Sequence, residues 1–495
     1  MAQSSVTPPS PMAGKDTPVD WMFAFKFNAQ SFPGCTDDGT TPVVGSEGIF
    51  GGTVDAYENG HSQQYVFATS AAPTLVKGTG CLGATLEDPL GATFAQIYNT
   101  PGYYFVLWND QFYNNPIENM DTPWGHSKGM VAWDDDGNGM VLQVSTPSWP
   151  ASGSAAHPRE NDGNTLGCIH DDDIEVSQHF FSLKLTKADL VVVLQALANA
   201  SIATNLSQQS IVNNGGPDDI QALVDDLGKL SASKQVIVAT LSSGVKVISK
   251  PSALAVPPWQ MISAKLGGVD LRVASWWAAP AIYSTDEGQT PTCWAPGLGT
   301  PGVVDIATSG EWNGTGIGLE GGDGPMFNHA KIGISTNAKT PLCIFGDMNQ
   351  QGALAPNYAH PNQPCSSSQN GRGGTFYVVS NAALWTSLTA LLKGASAPIK
   401  ANDGSTVGGS GANAPTLSSP KASGSKKTSA KARGRKKTSA KASGAKKTSS
   451  KTPKRKAAKK APAAKRKAPA REKRRAPARQ SARKVAKKVV KRSQR

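Results

Sequence analysis

The chain has 495 residues and a formal net charge of +14, which comes from 50 Lys and Arg against 36 Asp and Glu. A body of roughly 400 residues is long enough for two lobes with substantial cores. No segment is apolar over the length that a membrane span needs, and residues 1–20 lack the apolar core of a secretory signal peptide. These features argue against a membrane protein and against the classical secretory route.

Hydrophobic periodicity predicts a mixture of strands and helices in both halves of the body. In chain order, the first half has predicted strands at 20–27, 64–70 and 103–108, and helices at 86–98 and 187–202. The second half has a predicted helix at 217–230, strands at 235–240, 244–249 and 270–276, and a helix at 381–393. Pro217, Asp218 and Asp219 form a helix start signal. The predicted fold class is mixed α/β, with a break between lobes near residues 200–215.

Two copies of the tripeptide His-x-Lys stand 203 positions apart, as His126-Ser127-Lys128 and His329-Ala330-Lys331. The residues that follow each copy predict a strand, a tight turn and a second strand. Residues i and i+2 of a strand project from one face, so each His and its Lys should point together. A histidine that attacks or donates a proton, beside a fixed cation, suits chemistry on a phosphate ester. Two such pairs predict one site at a pseudo-twofold interface.

These motifs give the chain a specific resemblance to the deoxyribonuclease II family, a branch of the phospholipase D superfamily. Asn349, in Gly346-Asp347-Met348-Asn349, takes the place of the Asn that follows the second pair in the superfamily pattern, whereas the first half offers only Ser145. Further matches, spread over residues 18–395, are 18–21, 107–111, 125–129, 145–150, 163–168 and 372–375. The resemblance implies two phospholipase-D-like α/β sandwich lobes, related by pseudo-twofold symmetry, with the active site between them.

The resemblance also implies endonucleolytic cleavage of DNA that leaves 3′-phosphate and 5′-hydroxyl ends. One histidine would attack phosphorus to form a phosphohistidine, and the other would protonate the leaving oxygen and then activate water. We favour His126 as nucleophile and His329 as general acid, and the reverse assignment stays open. The predicted catalytic set also includes Lys128, Lys331 and Asn349, which would hold the phosphate oxygens, with Ser145 and Asp347 in support. Such chemistry needs no metal and no cofactor.

Two other segments compete as sites, and we interpret both as ordinary loops. Residues 134–139 match the first half of a calcium loop, but its twelfth position is Ser145 rather than Glu, which favours an acidic hairpin turn. Residues 170–173, His-Asp-Asp-Asp, could gather a divalent metal, but no second ligand cluster accompanies them. The remaining histidines, His61, His157, His179 and His360, have no partner at useful spacing and are interpreted as structural or exposed.

Six cysteines leave the redox compartment open. They stand at positions 35, 81, 168, 293, 343 and 365. They would permit three disulfides in an oxidising compartment, with fifteen possible connectivities. Without a signal peptide, we expect a cytoplasmic, nuclear or nucleoid-associated protein rather than a secreted one.

Composition separates a basic tail from the body. We predict a disordered N-terminus at 1–17, lobes at 18–205 and 206–400, a flexible linker at 401–420 and a disordered tail at 421–495. The tail holds 32 Lys and Arg and one acid, Glu472, which gives it a charge of +31 and leaves −17 on the rest of the chain. A ten-residue repeat in the tail places lysine pairs at Lys426-Lys427, Lys436-Lys437 and Lys446-Lys447.

The tail resembles those of linker histones, and we expect it to bind DNA phosphates through counterion release. The alternatives are a solubilising or export-related tail, or a nuclear localisation signal. Two other functions of the whole chain stay open, namely another phospholipase D superfamily phosphodiesterase or phospholipase, and a non-enzymatic DNA-packaging protein. DNA is the predicted partner, whereas a membrane and a small-molecule cofactor are not expected. The sequence leaves the oligomeric state and the preference for DNA over RNA open.

Overall fold

The computed structural model describes residues 7–36, 62–83, 85–99, 102–112, 121–147, 149, 175–276, 284–285, 290–322, 324–350, 354–356, 358, 362–366 and 368–401. These residues belong to a compact unit that spans Met1–Thr416. The predicted tail, and the linker beyond residue 401, lie outside the described residues.

The first large sheet is built mainly by the first half of the chain. Its strands are β1 Trp21–Lys26, β2 Tyr65–Thr69, β3 Val76–Lys77, β4 Tyr104–Asn109, β5 Lys128–Trp133, β6 Gly139–Val144, β7 Gln178–Leu185 and β8 Val212–Asn213. They lie in the order β3-β2-β1-β7-β6-β5-β4-β8, and neighbouring strands are antiparallel. Strands β1, β5 and β6 are buried along their whole length, as expected for a sheet with both faces covered.

The second large sheet has seven strands, and a two-stranded hairpin lies apart from it. The strands that follow in the chain are β9 Ile237–Thr240, β10 Lys246–Lys250, β11 Leu271–Ala274, β12 Val304–Ile306, β13 Ser309–Trp312, β14 Thr315–Gly318, β15 Ile332–Ser335, β16 Leu342–Gly346 and β17 Gly374–Ser380. The sheet order is β12-β11-β15-β16-β17-β10-β9, and β13 pairs with β14. Only the pair β11–β12 is parallel among the described strands of this sheet.

The two sheets repeat one arrangement. The helices are α1 Pro89–Asn99, α2 Lys187–Asn199, α3 Asp218–Val224, α4 Pro258–Lys265 and α5 Ala382–Leu391. The run β1-β7-β6-β5-β4 in the first sheet corresponds to the run β10-β17-β16-β15-β11 in the second. In each half a helix, α1 or α4, follows the first of these strands, and another, α2 or α5, follows β7 or β17. The mixed α/β fold with an internal repeat is therefore confirmed.

Aromatic side chains join the inner faces of the sheets. The ring of Phe345 on β16 stacks on those of Phe23 and Phe181, with centroids 4.6 Å and 4.7 Å away. The Tyr377 ring on β17 lies 5.7 Å from that of Phe181. Large rings of this kind bury much apolar area, and they hold the two sheets face to face.

Most predicted elements are confirmed within one to four residues, and the differences have physical reasons. Helix α3 ends at Val224 rather than near residue 230, and Gly228, whose φ is 66°, rules out a helix that continues to residue 230. Helix α4 was not predicted, because Pro257 and Pro258 read as a loop although Pro258 suits the first turn. The break predicted at 200–215 contains β8, which extends the first sheet, so the lobe boundary at residue 205 stays a prediction.

The N-terminal segment is more ordered than its composition predicted. Residues 7–17 were expected to be disordered, yet they lie against α1. The Met12 N–H donates to the Thr93 hydroxyl at 2.9 Å, and the Gln96 amide donates to the Ser10 carbonyl at 2.7 Å. Side chains of the helix thus satisfy the backbone of a segment that has few apolar residues of its own.

Two disulfides are present, Cys35–Cys81 and Cys293–Cys365. Cys343 is a buried free thiol, and burial raises its pKa. Cys168 lies outside the described residues. In the described part of the chain, none of the helices has the length and apolar character that a membrane crossing requires.

Candidate active site

The paired motifs stand at the start of the central hairpin of each sheet. Lys128 is the first residue of β5, and Lys331 directly precedes β15. The hairpins β5–β6 and β15–β16 follow them, as the sequence predicted. All four His and Lys side chains of the two motifs are buried.

Each histidine is anchored on the opposite half of the chain. The His126 N–H donates to the Gly373 carbonyl at 2.8 Å, and the His329 N–H donates to the Ser177 carbonyl at 2.7 Å. Gly373 directly precedes β17, and Ser177 directly precedes β7, so the two bonds occupy equivalent places. Neither motif can therefore be positioned without the other half of the fold.

Three of the four His and Lys side chains of the motifs meet at Asp347. Its Oδ2 lies 3.1 Å from Lys128 Nζ and 3.6 Å from His126 Nδ1, while its Oδ1 lies 3.4 Å from Lys331 Nζ. The side chain of Asp347 is 1% exposed, so these charges face one another with little solvent between them. One carboxylate thus links the two predicted lysines and one of the histidines.

The hydrogen bonds of His126 define its tautomer. Its Nδ1 lies 2.5 Å from the Asp347 backbone carbonyl, which can only accept, so Nδ1 carries the proton. Its Nε2 then carries an unprotonated lone pair, which accepts from the Asn349 amide at 3.4 Å. An imidazole in this state can act as a nucleophile through Nε2.

Asp110 and Arg372 belong to the site, although motif spacing did not identify them. Asp110 accepts from Lys128 Nζ at 2.7 Å and from the Arg372 guanidinium at 2.7 Å. Arg372 also donates to the carbonyls of Trp124 and Gly125, just before His126. Both residues fall in stretches that match the family, but their separation of 262 positions hides the ion pair in the sequence.

Burial and neighbouring cations lower the pKa of both motif histidines, which favours their neutral forms. Burial is the main cause that holds the pKa of His126 well below its usual value, and Lys128 adds to it. Burial, followed by Lys331 and Lys128, has the same effect on the pKa of His329. Of the two, His126 is in the state that attack requires, whereas His329 must gain a proton before it can act as an acid.

The lysines are held unequally. Burial would lower the pKa of Lys128, but Asp110 and Asp347 outweigh it and raise that pKa. Burial lowers the pKa of Lys331 to about 8, against the opposing effect of Asp347. Burial would raise the pKa of Asp110, but Lys128 and Arg372 lower it overall. Lys128 is therefore a firmly paired cation, and Lys331 is the one more easily drawn to another anion.

The surroundings of the two histidines differ. Asp110 follows Asn109, the residue of β4 that pairs with Lys128. The equivalent place after β11 is occupied by Trp276, whose ring meets that of His329 edge-on at a centroid distance of 5.3 Å. At equivalent positions, the first motif therefore has an acid, Asp110, and the second has an aromatic ring, that of Trp276.

Ser145 and His179 lie together beside the second motif. The Ser145 hydroxyl donates to Gln178 at 2.5 Å and accepts from the His179 N–H at 2.9 Å. The His179 side chain contacts Gln143 at 3.1 Å through Nε2, and its Nδ1 accepts from the Lys331 N–H at 3.1 Å. His179 is thus a buried structural histidine that accepts from the backbone of Lys331, a role its spacing did not reveal. A supporting role of Ser145 toward substrate stays a prediction.

Of the two competing segments, the structure describes only residues 134–139. Asp134 Oδ1 accepts from the backbone N–H groups of Asp136 and Asn138 at 3.0 Å and 2.9 Å, which closes the β5–β6 turn. This turn is the acidic hairpin turn that we favoured over a calcium loop. Residues 170–173, His61, His157 and His360 lie outside the described residues.

Asp110, His126 and Asp347 could in principle hold a metal, since one ligand atom of each lies within 4.8 Å of the others. Lys128 Nζ already lies 2.7 Å from Asp110 and 3.1 Å from Asp347. An ammonium there neutralises the carboxylates that a cation would need, so this donor set fits a metal poorly.

Comparison with known proteins places this two-sheet protein with its buried histidine–lysine site in a family. The profile of the family described as Deoxyribonuclease II matches residues 53–396, which is more than half of the chain. The chain therefore belongs to the deoxyribonuclease II family, and the resemblance seen in the sequence is confirmed. A relative from Caenorhabditis elegans, named Cell-death-related nuclease 7, is 24% identical over 319 residues, which cover 61% of this chain and 72% of the relative.

Proposed function

We propose that this member of the deoxyribonuclease II family is a nuclease that hydrolyses DNA phosphodiester bonds through a phosphohistidine. The observation that carries the proposal is the convergence of Lys128, Lys331 and His126 on Asp347, with Nε2 of His126 unprotonated and able to attack. Two histidines and two cations around one buried point are what a two-step displacement at phosphorus requires.

In the first step, His126 Nε2 bonds to phosphorus and the bond from phosphorus to the 5′ oxygen breaks. His329 gives its proton to that oxygen, which leaves as a 5′-hydroxyl. In the second step, the neutral His329 takes a proton from water, the water oxygen bonds to phosphorus, and the P–N bond breaks. The products are a 3′-phosphate, free His126 and reprotonated His329. Lys128, Lys331 and Asn349 would hold the non-bridging oxygens, with Ser145 and Asp347 in support.

This mechanism needs no metal ion. The charge that a metal would supply to the non-bridging oxygens can come from Lys128 and Lys331, whose ammonium groups lie 3.1 Å and 3.4 Å from Asp347. The +31 tail would supply a second function, which is to hold the acidic body on DNA by nonspecific phosphate binding. DNA is then both the substrate and the ligand of the tail.

The test is cleavage of plasmid DNA by the purified full-length protein in excess chelator, with chemical analysis of the new ends. We expect cleavage without added metal, 3′-phosphate ends, and losses of roughly a thousandfold or more in both His126→Ala and His329→Ala. Activity that returns only with magnesium or calcium would contradict metal independence. Loss of activity in only one variant would contradict a shared site. Hydrolysis of phosphatidylcholine in place of DNA would point to the phospholipase alternative.

A further inference from the structure

Two more lysines lie buried at equivalent places in the two sheets. Lys26 ends β1 and pairs in register with Gln178 of β7, and Lys250 ends β10 and pairs with Gly374 of β17. Because β1 and β7 correspond to β10 and β17, the two lysines are related by the internal repeat. Both are completely buried, and the proposed mechanism uses neither. Burial of a lysine is costly, so a repeated pair calls for a reason.

Lys250 gathers the segment that supports His126. Its Nζ donates to the carbonyls of Asn370 and Arg372 at 2.9 Å and 2.7 Å. Those acceptors are neutral, and no carboxylate in the described part of the chain forms an ion pair with Lys250. Desolvation accordingly lowers its pKa to about 7. Gly373 directly follows Arg372, and its carbonyl accepts from the His126 N–H.

The same segment has little room to shift. A Cβ on Gly374 would lie 2.3 Å from the Met348 side chain and 3.3 Å from the His126 carbonyl oxygen. Because this segment is closely packed, a shift of the carbonyls that accept from Lys250 would be passed on to the backbone that anchors His126.

Lys26 is connected to His329 through its strand pairing, and its own hydrogen-bond acceptors lie in other segments. Its Nζ donates to the carbonyls of Phe27 and Ser62 at 3.1 Å and 2.9 Å. Its register partner Gln178 follows Ser177, whose carbonyl accepts the His329 N–H at 2.7 Å. The charge of Lys26 also contributes to the lowered pKa of His329, after the larger effects of burial, Lys331, Lys128 and His126.

We propose that Lys250 and Lys26 are positioning residues for different halves of the reaction, Lys250 for attack by His126 and Lys26 for proton donation by His329. The inference rests on the proposed function, because it assigns the lysines to the steps of that mechanism. It predicts that the effect of replacing Lys26 depends on the leaving group of the substrate, whereas the effect of replacing Lys250 does not.

The test compares two substrates of the full-length protein, a thymidine dinucleotide and thymidine 3′-(4-nitrophenyl phosphate). Product release in the first turnover is measured, so that only the first step counts. Nitrophenolate leaves without a proton, whereas the 5′-hydroxyl of the dinucleotide needs one. We expect Lys26→Met to slow the dinucleotide about 10- to 100-fold and the nitrophenyl ester much less. Lys250→Met should slow both substrates to a similar degree, because both require attack.

Controls separate positioning from loss of stability. Leu388→Ala removes a buried side chain of α5 outside the site and should slow neither substrate selectively. Where a Met variant does not fold, the Arg variant of the same lysine is tested. We expect it to show the same difference between the two substrates, but a smaller one.

Equal slowing of both substrates by the Lys26 variants, or sparing of the nitrophenyl ester by the Lys250 variants, overturns the inference alone. A wild-type protein that cleaves neither substrate, or a His329→Ala variant without leaving-group rescue, overturns the proposed function and the inference with it.

Discussion

Asp347 joins the two halves of the site through one carboxylate. Its two oxygens lie 3.1 Å from Lys128 Nζ and 3.4 Å from Lys331 Nζ. Lys128, Lys331 and Arg372 bring three positive charges against the two negative charges of Asp110 and Asp347, which leaves one positive charge that a phosphodiester can neutralise. This explains how an acid can stand at the centre of a site for a polyanion, because it orients the lysines without matching their charge.

The pKa values of the histidines predict an acidic pH optimum. Burial and the lysines hold the pKa values of His126 and His329 well below 6.5, and the reactive form needs the first neutral and the second protonated. That form becomes more populated as the pH falls below neutrality, and the two macroscopic pKa values belong to the coupled pair. We therefore expect kcat/KM to fall as pH rises above about 6.5. The measurement is a pH profile on a short duplex, and a rate that climbs steadily to pH 9 would contradict the assignment.

The same pKa shifts set the direction of a stability change. The pKa values of His126, His179 and His329 are all lowered in the folded protein, mainly by burial. Below about pH 6.5 the unfolded chain therefore binds more protons than the folded one. The free energy of unfolding should decrease as the pH falls, while activity increases. Urea denaturation of the wild-type protein between pH 7 and pH 5 checks this. The measurement should not be made on an Asp110→Ala variant, because that substitution removes a buried charge.

Asp110 provides a sharper test at a single residue. Asp110→Asn would leave Lys128 and Arg372 with one buried anion fewer, which we expect to cost about 3–5 kcal/mol of unfolding free energy and to lower kcat. The control is Asp226→Asn, which removes the same charge from an exposed pair with Lys229. That variant should change stability by about 1 kcal/mol or less and leave kcat unaltered. Similar effects of both substitutions in urea denaturation and turnover would mean that Asp110 has no special role.

At the scale of elements, the paired hairpins could be predicted because their pattern is local. Each has alternating apolar residues around a short turn, and each follows its motif directly. The ion pair of Asp110 with Arg372 could not be predicted, because it depends on how distant segments of two sheets come together. Helix α4 was missed for the opposite reason, since the local signal of Pro257 and Pro258 favours a loop and tertiary burial decides the outcome.

The β5–β6 turn carries a prediction of its own. Asp134→Ala removes two hydrogen bonds that the carboxylate accepts from turn N–H groups and should lower the unfolding free energy by about 1–3 kcal/mol. Activity should be unchanged, because the six-residue strand β5 separates the turn from Lys128 by roughly 20 Å. Asp134→Asn keeps an acceptor oxygen and should lose less stability. If calcium raised the melting temperature of the wild type and not of Asp134→Ala, the calcium-loop interpretation would return.

At the scale of the whole molecule, the structure pairs four of the six cysteines. The disulfides Cys35–Cys81 and Cys293–Cys365 are of a kind typical of an oxidising environment. Their pairing could not be read from six cysteines, because connectivity depends on which segments the fold brings into contact.

The charge distribution leads to a prediction for the entire chain. Residues outside 421–495 carry a net charge of −17, so on average they should repel DNA, whereas residues 421–495 carry +31. A tail that binds phosphates and is joined by a flexible linker would hold the body at high effective concentration along the strand without entering the site. Removal of residues 421–495 should therefore raise KM for long DNA at low salt and flatten its dependence on salt. Short oligonucleotides at saturating concentration should be cut at nearly the wild-type rate, since the His-Lys site lies wholly in the remaining part.

Steady-state kinetics of the full-length and truncated proteins on both substrates provide the measurement. The matched control is a full-length variant in which the lysines and arginines of the tail are replaced by glutamine. If truncation lowers turnover on saturating short substrates, the tail contributes to the site or to the fold, and the tether hypothesis is wrong.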